Sequence, residues 1–236
     1  MAHTTSGRPR TDKRTTRWNQ HKAQRQNELV DAAVTLIEEE GPRFRVQRLA
    51  ERAGLPRSVL YRHFKDRATL EELIRRRIVA SFLHRIEPTL TFDGTIEEAI
   101  HRVISAHLDW VAQHPHLYTY MGVAEHTMND GSLIANTKTA IAHKLSERFD
   151  QILHGLGAPH APIRSVAVGI VGFVDTAVNQ WVHDPAREQT EQQLHTMLCR
   201  SVWAVLNATL KDLGITLTPQ QHLTDLNHNP TPPPTT

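Results

Sequence analysis

Apolar residues return at intervals of three and four along almost the whole chain, and no strand-like alternation persists. A sequence with that period can bury its apolar residues together only as the stripe of a helix, so the expected fold is all-α. Leu29, Ala32, Ala33, Leu36 and Ile37 form the first stripe, and Gly41-Pro42 stops it. Val46, Leu49, Ala50 and Ala53 give a short second helix ended by Gly54, and Leu60, Tyr61 and Phe64 a short third beginning near Pro56. Asp66 is placed to cap a fourth helix from Arg67 to about Ile86, with Leu70, Leu73, Ile74, Ile78 and Phe82 facing inward and Pro88 ending it. Further helices are expected near 95–113, 115–128, 131–156, 160–183 and 187–213, separated by Gly or Pro.

The two ends break the pattern. Residues 1–20 are polar and basic, with almost nothing apolar before Trp18, and are expected to be a disordered arm. Residues 218–236 are rich in Pro, Thr, Asn and His and are expected to be a disordered tail. Between them the expected division is a three-helix domain at 21–66 and a larger helical domain at 67–217.

Charge separates along the same line. Residues 1–85 hold 19 Lys and Arg against 10 Asp and Glu, a balance of +9, and the remainder holds 8 against 15, a balance of −7. A basic module joined to an acidic one suits a chain that docks one end on phosphates. The longest apolar run, Val166–Val174, is far shorter than the roughly 20 residues of a membrane span, so no membrane contact is expected. No apolar stretch follows the first basic residues as in a signal peptide, and a cytoplasmic location is expected. The single cysteine, Cys199, has no internal disulfide partner.

The segment from Leu49 to Phe64 reads as a helix-turn-helix. Ala50 is small enough for two helices to approach, Gly54 suits the turn, and Leu55 and Leu60 fill the space between. That leaves Gln47, Arg57, Ser58, Arg62 and His63 on outer surfaces, where a second helix lying in a major groove meets bases and phosphates. Two-helix corners with a glycine also occur in enzymes, so the charge balance is needed to favour DNA. Gly7-Arg8-Pro9-Arg10 in the arm looks like a minor-groove hook, beside the plainer reading of a solvated tail.

At these residues the chain also resembles the TetR family of bacterial transcriptional regulators. The resemblance lies in Ala50, Gly54, Leu60-Tyr61, Phe64 and Arg67, with Ala32-Ala33 and Gly41 upstream, and covers about residues 25–74. It implies that Tyr61, His63 and Arg67 contact phosphates and that Gln47, Arg57 and Ser58 face bases. Two positions depart from the family pattern: Arg45 stands where a Ser or Thr usually caps the second helix, and Val59 where a Thr is common. The family also implies a C-terminal domain that holds a small ligand and pairs two subunits through its last two long helices.

Residues 166–182 are apolar nearly all round, and Leu194, Met197, Leu198, Val202, Val205, Leu206, Leu210 and Leu213 line the final helix. Segments 160–183 and 187–213 are therefore the expected homodimer interface, beside the alternative of packing within one chain. Candidate effector-binding residues are His107, Trp110, Tyr118, Met121, Phe149, Phe173 and Asn179, a few polar groups among aromatics, together with Val103, Val111, Leu153 and Trp181. His101, His107, His114, His116, His126 and His143 contain no His-x-x-x-His pair, so no metal and no cofactor is expected. The expected function is a dimeric regulator, a repressor of a palindromic double-stranded DNA operator released by a small apolar or amphipathic effector. An activator without a small ligand and a helical enzyme stand as rivals, the enzyme without any of the usual nucleophile, phosphate-loop, zinc-protease or dinucleotide motifs.

Overall fold

The computed structural model describes residues 13–91, 93–127, 132–156, 163–186 and 188–228, with side chains from residue 21 except 122–138, 140, 227 and 228. The helices are α1 (Lys13–Glu40), α2 (Val46–Arg52), α3 (Arg57–His63), α4 (Arg67–Ile86), α5 (Ile96–Gln113), α6 (Pro115–Thr127), α7 (Ser132–Gly155), α8 (Ile163–His183), α9 (Glu191–Asp212) and α10 (Leu223–His228), with a 3-10 turn at Glu87–Thr89. No strand occurs among the described residues. The chain separates into two compact units at Arg77/Ile78.

The first unit forms around Leu29, Ala33, Leu36 and Ile37 of α1, Leu49 and Ala50 of α2, Leu60 of α3, Phe64, and Leu70 and Ile74 of α4, all fully or almost fully buried. Gly41 takes φ +100, a left-handed conformation that favours glycine, and its N–H closes on the Ile37 carbonyl at 2.9 Å. Asp66 caps α4 as expected: its carboxylate accepts from the Thr69 N–H at 2.7 Å, and that bond holds the carboxyl below its ordinary value. The boundary differs from the expected 66/67 because the first turns of α4 belong to this unit. Arg77 still reaches back to Asp31 and Asn27 of α1.

In the second unit α7 packs along α8 and α5 along α9. Thr95 and Thr190 open α5 and α9 with reciprocal capping boxes to Glu98 and Gln193. The expected tail is corrected here. Residues 218–228 fold back on α5: Ile96 N–H donates to the Gln221 carbonyl at 3.1 Å, Glu97 N–H to Pro219 at 2.9 Å, and Leu223 N–H to Gly94 at 3.0 Å. Leu217, Leu223 and Leu226 join Ile96 in a buried cluster. Leu223 and Leu226, with Leu217 just before them, suffice to anchor an otherwise polar segment, because its backbone groups find partners at the start of α5. Residues 229–236 of that expectation, and residues 1–12 of the basic arm with its Gly7-Arg8-Pro9-Arg10, lie outside the described residues. α1 begins at Lys13, inside the segment expected to be arm.

Candidate nucleic-acid interface and ligand cavity

The turn between α2 and α3 is built by Gly54 at φ +62. The Leu55 N–H, at 2.9 Å from the Ala50 carbonyl, ends α2, and Pro56 at φ −59 leads into α3. Leu60 faces inward at 0% exposure, which turns the opposite face of α3 outward. Arg57, Ser58 and Arg62 are exposed on that face, Tyr61 is half-buried, and the Arg57 guanidinium lies 5.7 Å from the centre of the Tyr61 ring. Gln26 of α1 holds the end of the helix by donating to the His63 carbonyl at 3.2 Å.

Ion pairing divides the basic residues of this unit. Arg48 is held between Glu40 and Glu51, and Arg52 pairs with Glu39. These carboxyls are held below their ordinary values by the hydrogen bonds they receive: Glu40 from Arg48, Glu39 from Arg52, and Glu51 from Gln47 and then Arg48. Arg67 pairs with Glu71 at 2.7 Å, and Gln47 donates to Glu51 at 3.1 Å. Arg57, Arg62, Lys65, Arg43 and Arg45 are exposed and form no close ion pair among the described residues, though Lys65 acts electrostatically on the neighbouring Asp66. Arg45 precedes α2 and makes no side-chain cap.

The structure thus brings Arg57, Ser58, Tyr61 and Arg62 to one surface. It engages Gln47 and Arg67 with glutamates, and it turns His63 partly inward, with Nδ1 buried and unbonded among the described residues. Lys65 and Arg43 were missed by sequence reasoning. Both lie between helices, Arg43 ahead of α2 and Lys65 ahead of α4, where the i,i+3 and i,i+4 pairing that marks Arg48 with Glu51 and Arg67 with Glu71 gives no signal.

In the second unit a cavity of about 240 Å³ is walled by residues of α4 to α9 and by Leu223. His107, Trp110, Tyr118, Met121 and Phe149 line it, as does Val103. Phe82, which sequence reasoning assigned to the inward stripe of α4, stacks edge-on against both His107 and Trp110 with ring centres 5.1 Å away. Burial pushes the His107 imidazole down to a pKa of about 4, so it is neutral at pH 7. Trp110 Nε1 is buried without a hydrogen-bond partner among the described residues.

Five candidates are corrected or reassigned. Phe173 is 41% exposed on α8 and does not line the cavity. Asn179, one turn and a half further along α8, does not line it either; its carbonyl lies 2.9 Å from His183 Nδ1. Val111 and Leu153 are buried core, while Trp181 donates to the Gln189 carbonyl at 2.7 Å. Periodicity placed Phe173 and Asn179 on an apolar helix but could not say which side of that helix the chain itself covers.

Two short helices joined at a left-handed glycine, with cations on the outer face of the second that form no ion pair among the described residues, define a helix-turn-helix DNA-binding protein. Residues 29–73 match the family model for bacterial regulatory proteins of the tetR family. An uncharacterised HTH-type transcriptional regulator of Mycobacterium tuberculosis is 27% identical over 198 residues, 84% of this chain and 83% of that protein. The nucleoid occlusion factor SlmA of Vibrio vulnificus is 25% identical over 198 residues, 80% of this chain and 97% of its own. Among solved structures, a tetR-family transcriptional regulator from Streptomyces coelicolor superposes with a TM-score of 0.64 at 17% identity, covering 81% of this chain and 86% of that one. A TetR-family regulator from Rhodococcus follows at 0.57 and 21%, covering 78% and 98%. Residues 29–73 thus match the DNA-binding domain of the tetR family of bacterial regulatory proteins, and the chain is similar over most of its length to HTH-type transcriptional regulators.

Proposed function

We propose that the protein is a dimeric repressor that reads a palindromic operator through α3 and is released by a small, uncharged, mainly apolar ligand. The observation that carries the DNA reading is the sorting of cations: those of α2 are consumed by glutamates of α1 and α2, while Arg57, Arg62 and Lys65 stay available at α3. Arg57 and Ser58 open α3, where side chains of a recognition helix reach base edges, and Tyr61, Arg62, His63 and Lys65 serve phosphates. Gln47 and Arg67 contribute by exchanging their glutamate partners for DNA.

Dimerisation is supported by what α8 leaves uncovered. α8 is 21 residues long and apolar enough to cross a membrane by length and composition, yet only 22% of its most apolar stretch is buried. Val168 and Phe173 are exposed, and a Cβ added at Gly169 or Gly172 would meet nothing within 4 Å. These four residues share one face with Ser165 and Thr176, opposite the buried Ile163, Ala167, Ile170, Val174 and Val178. Small residues between apolar flanks suit close approach of a second α8, and Val205 extends the surface on α9. Of the expected α9 stripe, Leu194, Leu198, Val202 and Leu206 are buried within the chain, and Met197, Leu210 and Leu213 are partly buried.

The cavity fits the ligand class by its chemistry. Its volume is slightly under the roughly 300 Å³ at the lower end of ligand sites, its polar groups are few, His107 is neutral, and Trp110 has an N–H to give. Phe82, Ile78, Val79 and Ile86 place α4 in its wall, and the same helix begins at Arg67 beside α3. Selection of bound duplexes from a random pool tests the reading: an enriched inverted repeat supports it, and a pool without sequence preference overturns it.

A further inference from the structure

Away from the cavity and the helix-turn-helix surface, three nitrogen and sulfur ligands meet where α5 packs along α9. His101 of α5 and His195 and Cys199 of α9 each present a ligand atom, and these atoms all lie within 4.8 Å of one another. Helical spacing puts them there. His195 and Cys199 are four residues apart on α9, His101 and Ser105 four apart on α5, so each helix offers two side chains from one face. The rings of His101 and His195 are 5.0 Å apart between centres and inclined at 54°. Cys199 Sγ lies 4.0 Å from Nδ1 and 3.9 Å from Nε2 of His195, and Ser105 Oγ lies 2.9 Å from His195 Nε2.

We propose that His101, His195 and Cys199 form a binding site for one zinc ion per chain. With Nε2 of His195 donating its proton to Ser105 Oγ, Nδ1 is the nitrogen left for the metal, the usual arrangement of a ligating imidazole fixed by an outer hydrogen bond. Zinc–nitrogen bonds of about 2.0–2.1 Å and a zinc–sulfur bond of about 2.3 Å place tetrahedral ligand atoms roughly 3.4–3.6 Å apart. The three atoms therefore need to close by little more than about 1 Å, which rotation of the exposed His101 side chain supplies. A buried thiol with two imidazoles suits zinc and not magnesium or calcium, which take oxygen ligands. Three protein ligands leave the fourth position to water or to the Glu97 carboxylate, one helical turn before His101 and close enough to act electrostatically on the Cys199 thiol. Bound there, the ion clamps α5 to α9, both of which line the cavity.

The probe is cobalt(II) added to the full-length chain, followed by displacement with zinc. A tetrahedral cobalt–thiolate site shows a sulfur-to-metal charge-transfer band in the near ultraviolet, saturating at one equivalent per chain, which surface histidines do not produce. The expected result is that band in the unmodified protein, its loss in Cys199→Ser, and at least a tenfold weaker affinity in His101→Ala. Ser105→Ala, which removes only the outer hydrogen bond, weakens binding by about 10- to 100-fold. Zinc raises the melting temperature of the unmodified protein and leaves His101→Ala unmoved, a substitution at an exposed position that circular dichroism can show to be folded. No charge-transfer band, a band that survives Cys199→Ser, or an equal zinc-induced shift in His101→Ala overturns the site. Uptake of copper(I) with no response to zinc overturns the choice of metal.

Discussion

Arg57 and Arg67 carry the same charge on adjoining helices in different surroundings. Arg57 has no carboxylate among the described residues and lies over Tyr61, whereas Arg67 is paired with Glu71. Arg57→Ala is expected to relax sequence preference, at about 1–3 kcal/mol for each lost bidentate base contact, with the fold intact. Arg67→Ala should weaken all duplexes alike and by less, since its pairing with Glu71 must be given up on binding. Quantitative binding to matched and scrambled operators separates the two, and equal losses of specificity would show the division to be wrong. His107 gives a second residue-scale prediction. Its pKa of about 4 lies below the ordinary value of 6.5, so folding favours the neutral ring. The associated stability is present in full above pH 6.5 and is lost as pH falls from there toward 4, roughly 3 kcal/mol across the window. Comparing chemical denaturation of His107→Leu with the unmodified protein at pH 7 and pH 4.5 should show a smaller acid loss in the variant.

At the scale of elements, sequence and structure agree where periodicity is long and punctuated. The expected helices at 95–113, 115–128, 131–156 and 160–183 match α5 to α8 to within a few residues, since Gly, Pro and polar caps mark their ends. The helix-turn-helix was legible for a local reason: Gly54, Leu60 and Phe64 act within one short segment. The cavity was legible only in part. His107, Trp110, Tyr118, Met121 and Phe149 face it, but Phe173 points out of α8, because which stripe of an apolar helix is covered depends on neighbours distant in sequence. The His195–Cys199 spacing lay outside a search confined to histidines of the middle segment. α10 was hidden by composition, and its role is testable. Leu226 is 3% exposed in the cluster with Ile96 and Leu223, so Leu226→Ala should cost about 2–5 kcal/mol and lower the melting temperature by at least about 4 °C. A melting point unchanged in calorimetry would return residues 218–228 to the status of a tail.

For the whole molecule, the +9 balance of residues 1–85 sets the salt dependence of DNA binding. Each phosphate neutralised by Arg57, Arg62, Lys65 or their neighbours releases condensed counterion, so affinity should fall with a slope near −0.9 per contact on a logarithmic scale. Titrations between low and physiological salt measure that slope, and Lys65→Ala should reduce it by about one unit. A flat dependence would remove the electrostatic basis of the interface.

Under the proposed function, ligand binding in the cavity and operator binding share one free energy. A ligand in the cavity can release DNA only by preferring a conformer whose recognition helices no longer match successive major grooves. α4 is the covalent route between the events: it opens at Arg67, its Ile78, Val79, Phe82 and Ile86 line the cavity, and its 20 residues run about 30 Å. A displacement of Phe82, wedged against His107 and Trp110, cannot be absorbed by the side chain alone in a packed wall, so it is passed to the helix. Linkage then requires that cavity ligand and operator lower each other's affinity by one common factor, typically 5- to 150-fold for a coupling of about 1–3 kcal/mol. An environment-sensitive apolar dye, followed by energy transfer from Trp110 with Trp110→Phe as the control, gives the cavity affinity with and without saturating operator. Reciprocal titration of operator with and without dye must return the same ratio. Equal dye affinities in the two states would leave the cavity without a part in regulation, and the protein would then read its operator without a signal from this site.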